Sequence, residues 1–134
     1  MVYLPYLPSD NAGAIQVKQA LRQAKFDVTL FRYDERDPRM LERIHRAALE
    51  KSDGVVVFYG ADAGWAYEQM LEVRDYVQAR KRKQNPLKAV CLCDGPPETK
   101  ESSVEFEAEY LIVADCRDGV QPSDLATFVE AVRI

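Results

Sequence analysis

Ser52-Asp53-Gly54-Val55-Val56-Val57-Phe58-Tyr59-Gly60 is followed after three residues by Gly64-Trp65-Ala66-Tyr67-Glu68. Val55–Tyr59 is a continuous apolar, β-branched run, the mark of a strand covered on both faces. Glycine stands at either end, and a helix opens just beyond, with Trp65 and Glu68 in its first turns. In an open α/β sheet, ligands bind in the crevice at the carboxyl ends of the strands. The segment therefore places a carboxylate, Glu68, beside such an edge.

Working outward, strands and helices alternate. Val2–Tyr6 is a short apolar run that contains Pro5. Ser9 or Asp10 can cap a helix whose Val17, Ala20, Leu21 and Ala24 repeat at helical spacing. Phe26–Phe31 alternates as a second strand. Tyr33-Asp34-Glu35-Arg36-Asp37 is a charged loop, and Pro38 suits a first helical position. Leu41, Ile44, Ala48 and Ala47 supply the next buried stripe. The helix after Tyr59 is expected from about Gly64 to Lys83, with Ala66, Met70, Val73 and Val77 inward. Asn85-Pro86 breaks it. Leu87–Cys93 and Tyr110–Ala114 read as strands, separated by the turn Asp94-Gly95-Pro96-Pro97 and the acidic stretch Glu98–Glu109. Ser123 is the expected cap of a last helix carrying Leu125, Phe128, Val129 and Val132. This alternation predicts an α/β fold, a three-layer doubly wound parallel sheet of five strands in the flavodoxin-like order 2-1-3-4-5.

Bulk properties narrow the function. The 134 residues read as a single domain, 1–134, with 47% hydrophobic and 30% charged residues, the composition of a soluble globular protein. A net charge of −4 argues against nucleic-acid binding. The one basic cluster, Arg80-Lys81-Arg82-Lys83, falls at an expected helix end, where cations suit the macrodipole. No stretch has transmembrane length and no signal peptide opens the chain. Cys91, Cys93 and Cys116 are too few and too irregular for a disulfide framework, so a cytoplasmic setting is expected. No metal site is expected, because no CxxC or HxxxH pair exists. His45 is the only histidine, and it reads as an ordinary, partly exposed mid-helix residue. A first strand beginning at Val2 suggests a domain excised from a longer multidomain protein.

The crevice residues sort the ligand classes that share such a sheet. The first strand–helix turn, Leu7-Pro8-Ser9-Asp10-Asn11-Ala12-Gly13, has one late glycine. That turn lacks the glycine spacing of a dinucleotide cradle. Tyr6-Leu7 and Tyr59-Gly60 stand where a phospho-acceptor site needs carboxylates. What remains is one carboxylate, Glu68. A carboxylate there can hold ribose hydroxyls, stabilise an oxocarbenium-like centre or attack an anomeric carbon. The competing reading of Glu68 is the ordinary preference for an acid in a first helical turn. Asp10 likewise reads as a helix cap, Tyr59 and Trp65 as packing.

Several stretches together resemble one family. They are Val2-Tyr3-Leu4-Pro5-Tyr6 with Asp10 after it, and Asp34-Glu35-Arg36-Asp37-Pro38 followed by Leu41, Ile44, Ala48 and Ser52. Asp53–Gly60 with Trp65, Pro96-Pro97, and Asp115-Cys116-Arg117-Asp118-Gly119 with the closing helix complete the set. The chain resembles the TIR-like (Toll/interleukin-1 receptor) domains attached to bacterial multidomain sensor and conflict proteins. The resemblance implies an effector that cleaves the nicotinamide–ribose bond of NAD⁺ on oligomerisation, with NAD⁺ as substrate and no prosthetic group. It implies partners in TIR–TIR self-association and in other domains of a longer chain. Active members carry a Glu four residues after the Trp. Here that position is Gln69, with Glu68 just before it and Glu72 one turn later. The implied catalytic residue is Glu68, with Glu72 as the alternate. Tyr6, Asp10, Tyr59, Trp65 and Gln69 are the implied substrate contacts, and Asp34 and Arg36 lie in the self-association loop. A catalytically inactive TIR-like interaction module is the alternative. A further one is a nucleoside N-glycosidase or 2-deoxyribosyltransferase, because Gly64-Trp65-Ala66-Tyr67-Glu68 is similar to a segment that carries the nucleophile of those enzymes.

Overall fold

β3, Gly54–Tyr59, is buried along its whole length, as its unbroken apolar run requires. Burying each of its valines contributes roughly 1.5–3 kcal/mol relative to exposure. The computed structural model describes residues 1–32, 38–60, 62–80, 87–95 and 111–133. Among these, β1 (Val2–Tyr6), β2 (Val28–Arg32), β4 (Ala89–Asp94) and β5 (Leu111–Asp115) join β3. The helices are α1 (Asn11–Gln23), α2 (Pro38–Lys51), α3 (Ala63–Arg80) and α4 (Ala126–Arg133). All strand pairs are parallel, and the order is β2-β1-β3-β4-β5. This is the flavodoxin-like α/β fold expected from the alternation of elements.

Alternate residues of the central strands feed two cores. Val2, Leu4, Val56, Phe58, Cys91 and Cys93 pack with Val17 and Leu21 of α1 and Phe128 and Val132 of α4. Tyr3, Val55, Val57, Tyr59, Val90 and Leu92 pack with Leu49 of α2 and Trp65, Ala66, Met70 and Val73 of α3. No described helix is long and apolar enough to cross a membrane.

Element ends differ from the sequence reading for local reasons. β2 starts at Val28, not Phe26. Lys25 takes φ 72° and the Phe26 N–H donates to Leu21 O at 3.2 Å, so these residues close α1 in a left-handed C-terminal turn. α3 starts at Ala63, because Asp62 Oδ1 accepts the Trp65 N–H at 3.0 Å and caps it. Ser123 does not cap the last helix. The chain enters α4 through a 3-10 turn, Pro122–Leu125, where Asp124 Oδ2 accepts the Gln121 N–H at 2.9 Å. Glu98–Glu109, Pro96-Pro97 and Lys81–Lys83 lie outside the described residues.

The largest correction concerns α2. Ile44 and Ala47, expected inside, are exposed, and the sheet-facing row is Leu41, His45, Ala48, Leu49 and Ser52. His45, expected at the surface, is only 4% exposed. Its Nδ1 lies 2.7 Å from Tyr3 Oη, and its ring rests against Tyr3 and Phe31, with centroids 5.4 and 6.4 Å away. Its Nε2 is 3.1 Å from Glu72 Oε2 on α3, a contact of ion-pair distance rather than hydrogen-bond alignment. A buried imidazole is tolerated when its nitrogens find partners. Hydropathy ranks isoleucine above histidine and cannot see Tyr3 or Glu72.

The three thiols are reduced and buried. Burial pushes the Cys91 thiol up to about 12 from an ordinary 9.0. Cys93 is raised well above its ordinary value, first by its hydrogen bond with Cys116 and then by burial. At pH 8 a thiol at 12 is ionised to only ~10⁻⁴, too little to attack a disulfide reagent. Native protein should therefore leave Cys91 and Cys93 unlabelled by Ellman's reagent, while urea-unfolded protein labels fully. Because the folded values lie above the unfolded ones, stability is complete below pH 9.0 and declines as pH rises toward 12. Urea midpoints measured from pH 8 upward should show this fall.

Candidate functional site

A crevice follows from how far each ladder runs. β1 pairs with β2 through Tyr6–Arg32, and β3 pairs with β4 through Tyr59–Asp94. β1 and β3 pair only at Val2–Gly54 and Tyr3–Val55, then part toward their carboxyl ends. Pro5 stands just above the last pair and has no N–H to donate. A proline is tolerated in this inner strand because the ladder to β3 has already ended there. Chain order reverses between β1 and β3, so the opening lies at the switch point where such folds bind ligands.

The loops after β1 and β3 furnish its walls. Tyr6, 6% exposed, donates its O–H to Asn11 Oδ1 at 3.3 Å. Asp10 occupies the N-cap position of α1, yet its side chain makes no capping bond. Its carboxylate lies instead against Gly60, where an added Cβ would collide with it. A side chain at position 60, just past β3, would have to push the Asp10 carboxylate aside. A second close approach lies below, where Gly13 of α1 sits against the Phe58 ring with no room for a Cβ.

The sequence reading did not single out Asp94 and Arg117. Asp94 ends β4 level with Tyr59 and is 4% exposed. Arg117 binds Asp115 through two contacts, Nε–Oδ1 at 2.9 Å and Nη2–Oδ2 at 3.0 Å. Its Nε also lies 3.9 Å from Asp94 Oδ2. One guanidinium thus offsets two carboxylates that the sheet register places side by side. The available signal was an aspartate closing the apolar run Leu87–Cys93, but only the register brings Asp115 and Arg117 to it.

α3 separates the remaining candidates by phase. Trp65, Ala66, Gln69, Met70 and Val73 are buried, whereas Glu68 is exposed. At ~100° per residue, Trp65, Ala66, Gln69, Met70 and Val73 fall within one arc of about 140°, and Glu68 falls outside it. Gln69 is 1% exposed, and among the described residues its Oε1 has no hydrogen-bond partner. Glu72 is half-exposed and stands beside His45, one turn farther along α3. Trp65 and Tyr59, 8% and 2% exposed, belong to the core packed under α2 and α3. Asp10 and Gly60 therefore meet just past the carboxyl ends of β1 and β3, with Tyr6 hydrogen-bonded to Asn11 beside them, while Trp65 and Tyr59 belong to the core on the α2/α3 face. Asp34 and Arg36 lie outside the described residues. Among the described residues no cluster of His, Cys, Asp or Glu is arranged to hold a metal ion.

The contact between Asp10 and Gly60 is testable. Gly60→Ala should cost about 1–3 kcal/mol, as overpacking of a well-filled site does. In an Asp10→Ala background the same change should cost at least ~1 kcal/mol less, since contacting residues couple. Urea denaturation of the four proteins of this double-mutant cycle measures the difference.

Compared with known proteins, the chain matches no family model, no curated protein and no solved structure.

Proposed function

We propose that this chain is a TIR-like module that works by associating with other protein chains rather than by cleaving NAD⁺. The observation that carries the reading is the buried amide of Gln69 at the sheet-facing position of α3. Cleavage of a ribosyl bond calls for an anionic oxygen that can stabilise or attack the anomeric carbon. An amide offers neither. Glu68 is turned to solvent and Glu72 stands against His45. The exposed apolar side chains Met40 and Ile44 of α2 add positive support for association, since exposed apolar surface marks interaction sites. The fold alone selects no function.

NAD⁺ hydrolysis through Glu68 is the second reading. It is favoured by the position of that exposed carboxylate in the early turns of α3, near the crevice mouth. A nucleoside transferase would depend on the same carboxylate. The discriminating experiment holds the protein at high concentration on a crowding surface with NAD⁺ and follows nicotinamide release. We expect no release above the protein-free rate from the wild type, Glu68→Ala or Glu72→Ala. Release that Glu68→Ala abolishes would install the hydrolase in place of the association module. Release lost only in Glu72→Ala would move the site one turn along α3. A nucleoside panel run in parallel, with free base as the readout, would reveal the transferase.

A further inference from the structure

We infer that Asp118 is a self-modification site, at which the chain rearranges through a cyclic imide with Gly119 to an isoaspartate. Three Asp-Gly pairs occur in the sequence, Asp53-Gly54, Asp94-Gly95 and Asp118-Gly119. Each carries the same latent chemistry. The backbone nitrogen of the glycine attacks the side-chain carboxyl carbon of the aspartate, and one water leaves. Water then opens the five-membered imide at either carbonyl. Opening at one returns aspartate. Opening at the other routes the main chain through the side chain and frees the α-carboxylate. Glycine favours ring closure because it has no Cβ to crowd the approach and the widest choice of backbone conformation.

The fold silences two of the three pairs. The Met1 amine holds the Asp53 carboxylate at 2.7 Å. The Asp53 N–H donates to Met1 O and its carbonyl accepts the Lys88 N–H, both at 2.8 Å. Gly54 is paired with Val2 on one side and Ala89 on the other. Asp94 is 4% exposed. Its carbonyl accepts the Cys116 N–H, and the Gly95 N–H donates to Tyr59 O, both at 2.8 Å. Attack at either pair requires part of the sheet to open. Asp118, by contrast, is exposed and lies past the end of β5, in a turn closed by the Gly119 N–H donating to Cys116 O at 3.0 Å. Gly119 takes φ 109°, a conformation open to glycine. Opening a turn costs less than opening a ladder, because local opening free energies run from near zero in loops to the global value in core strands. The product keeps one carboxylate but adds one atom to the main chain. It therefore re-spaces the turn that holds Arg117 on Asp115 and near Asp94. The freed α-carboxylate suits an enzyme that methylates isoaspartyl residues, the class of partner this site would take.

The test incubates the whole folded chain at neutral pH in heavy-oxygen water, where each passage through the imide fixes one heavy oxygen. Trypsin in ordinary water then places the three pairs in separate peptides, 52–74, 89–100 and 118–133. We expect label to enter 118–133 at least ~10-fold faster than the other two, the ratio set by the easier local opening. Electron-transfer fragmentation should place that label at position 118, partly as isoaspartate. In urea the ladders are gone, and the gap between the three peptides should close. Asp118→Glu should abolish uptake in 118–133, since glutamate must close a larger ring. Position 118 is exposed, so far-UV circular dichroism of this variant should match the wild type. Equal labelling of the three peptides in folded protein overturns the proposal. An excess in 118–133 that persists in urea also overturns it, because the flanking sequence rather than the fold would then be the cause. Label retained in Asp118→Glu would assign the chemistry to Asp124 and overturn the site.

Discussion

Everything in this molecule depends on covering β3 from both sides. A strand of Val, Val, Val, Phe and Tyr cannot leave either face in water, so helices must lie above and below it. Parallel pairing then follows, because only helical crossovers deliver those helices. The same demand places α1 and α4 on one face and α2 and α3 on the other. The crevice is a by-product. β1 leaves β3 after two pairs, where Pro5 can supply no further donor, and the loops after β1 and β3 border the space between their carboxyl ends.

The burial of His45 shows how a polar contact can reset a helix. Rotating α2 to bury Ile44 would gain hydrophobic free energy, yet it would remove the His45 ring nitrogen from the buried Tyr3 hydroxyl. A buried unpaired hydroxyl costs about 1–3 kcal/mol, comparable to the gain from one aliphatic side chain. With Tyr3 and Glu72 engaged, the polar solution wins, and Ile44 is displaced to the surface. The exposure of Ile44 is thus a consequence of the buried network rather than an independent feature.

Phase decides the chemistry on α3 in the same way. Trp65, Ala66, Met70 and Val73 fix which side of the helix meets the sheet, and Gln69 goes with them. Glu68, one residue earlier, is carried to the outside. The carboxylates that the fold does bury near the crevice are on other elements. Asp94 is accompanied by Arg117, and Asp10 is pressed against Gly60. The carboxylates at this edge of the sheet therefore come from the loop after β1 and from the ends of β4 and β5, not from α3.

Fold class, strand order and the two-sided burial of β3 and β4 were legible from residue order alone, because period and apolar runs report local burial. The place of Tyr6 at the end of β1 and of Asp10 just before α1 was also legible, since the end of the first strand and the following turn can be located in the chain. Three things were not. The inward turn of His45 depends on partners 42 residues away on β1 and on another helix. The pairing of Arg117 with Asp94 depends on sheet register. The outward turn of Glu68 depends on which side of α3 the core selects. Local propensity is a property of neighbours in sequence. Satisfying buried polar groups and setting the phase of a helix against a sheet are properties of neighbours in space, so only the tertiary structure could decide them.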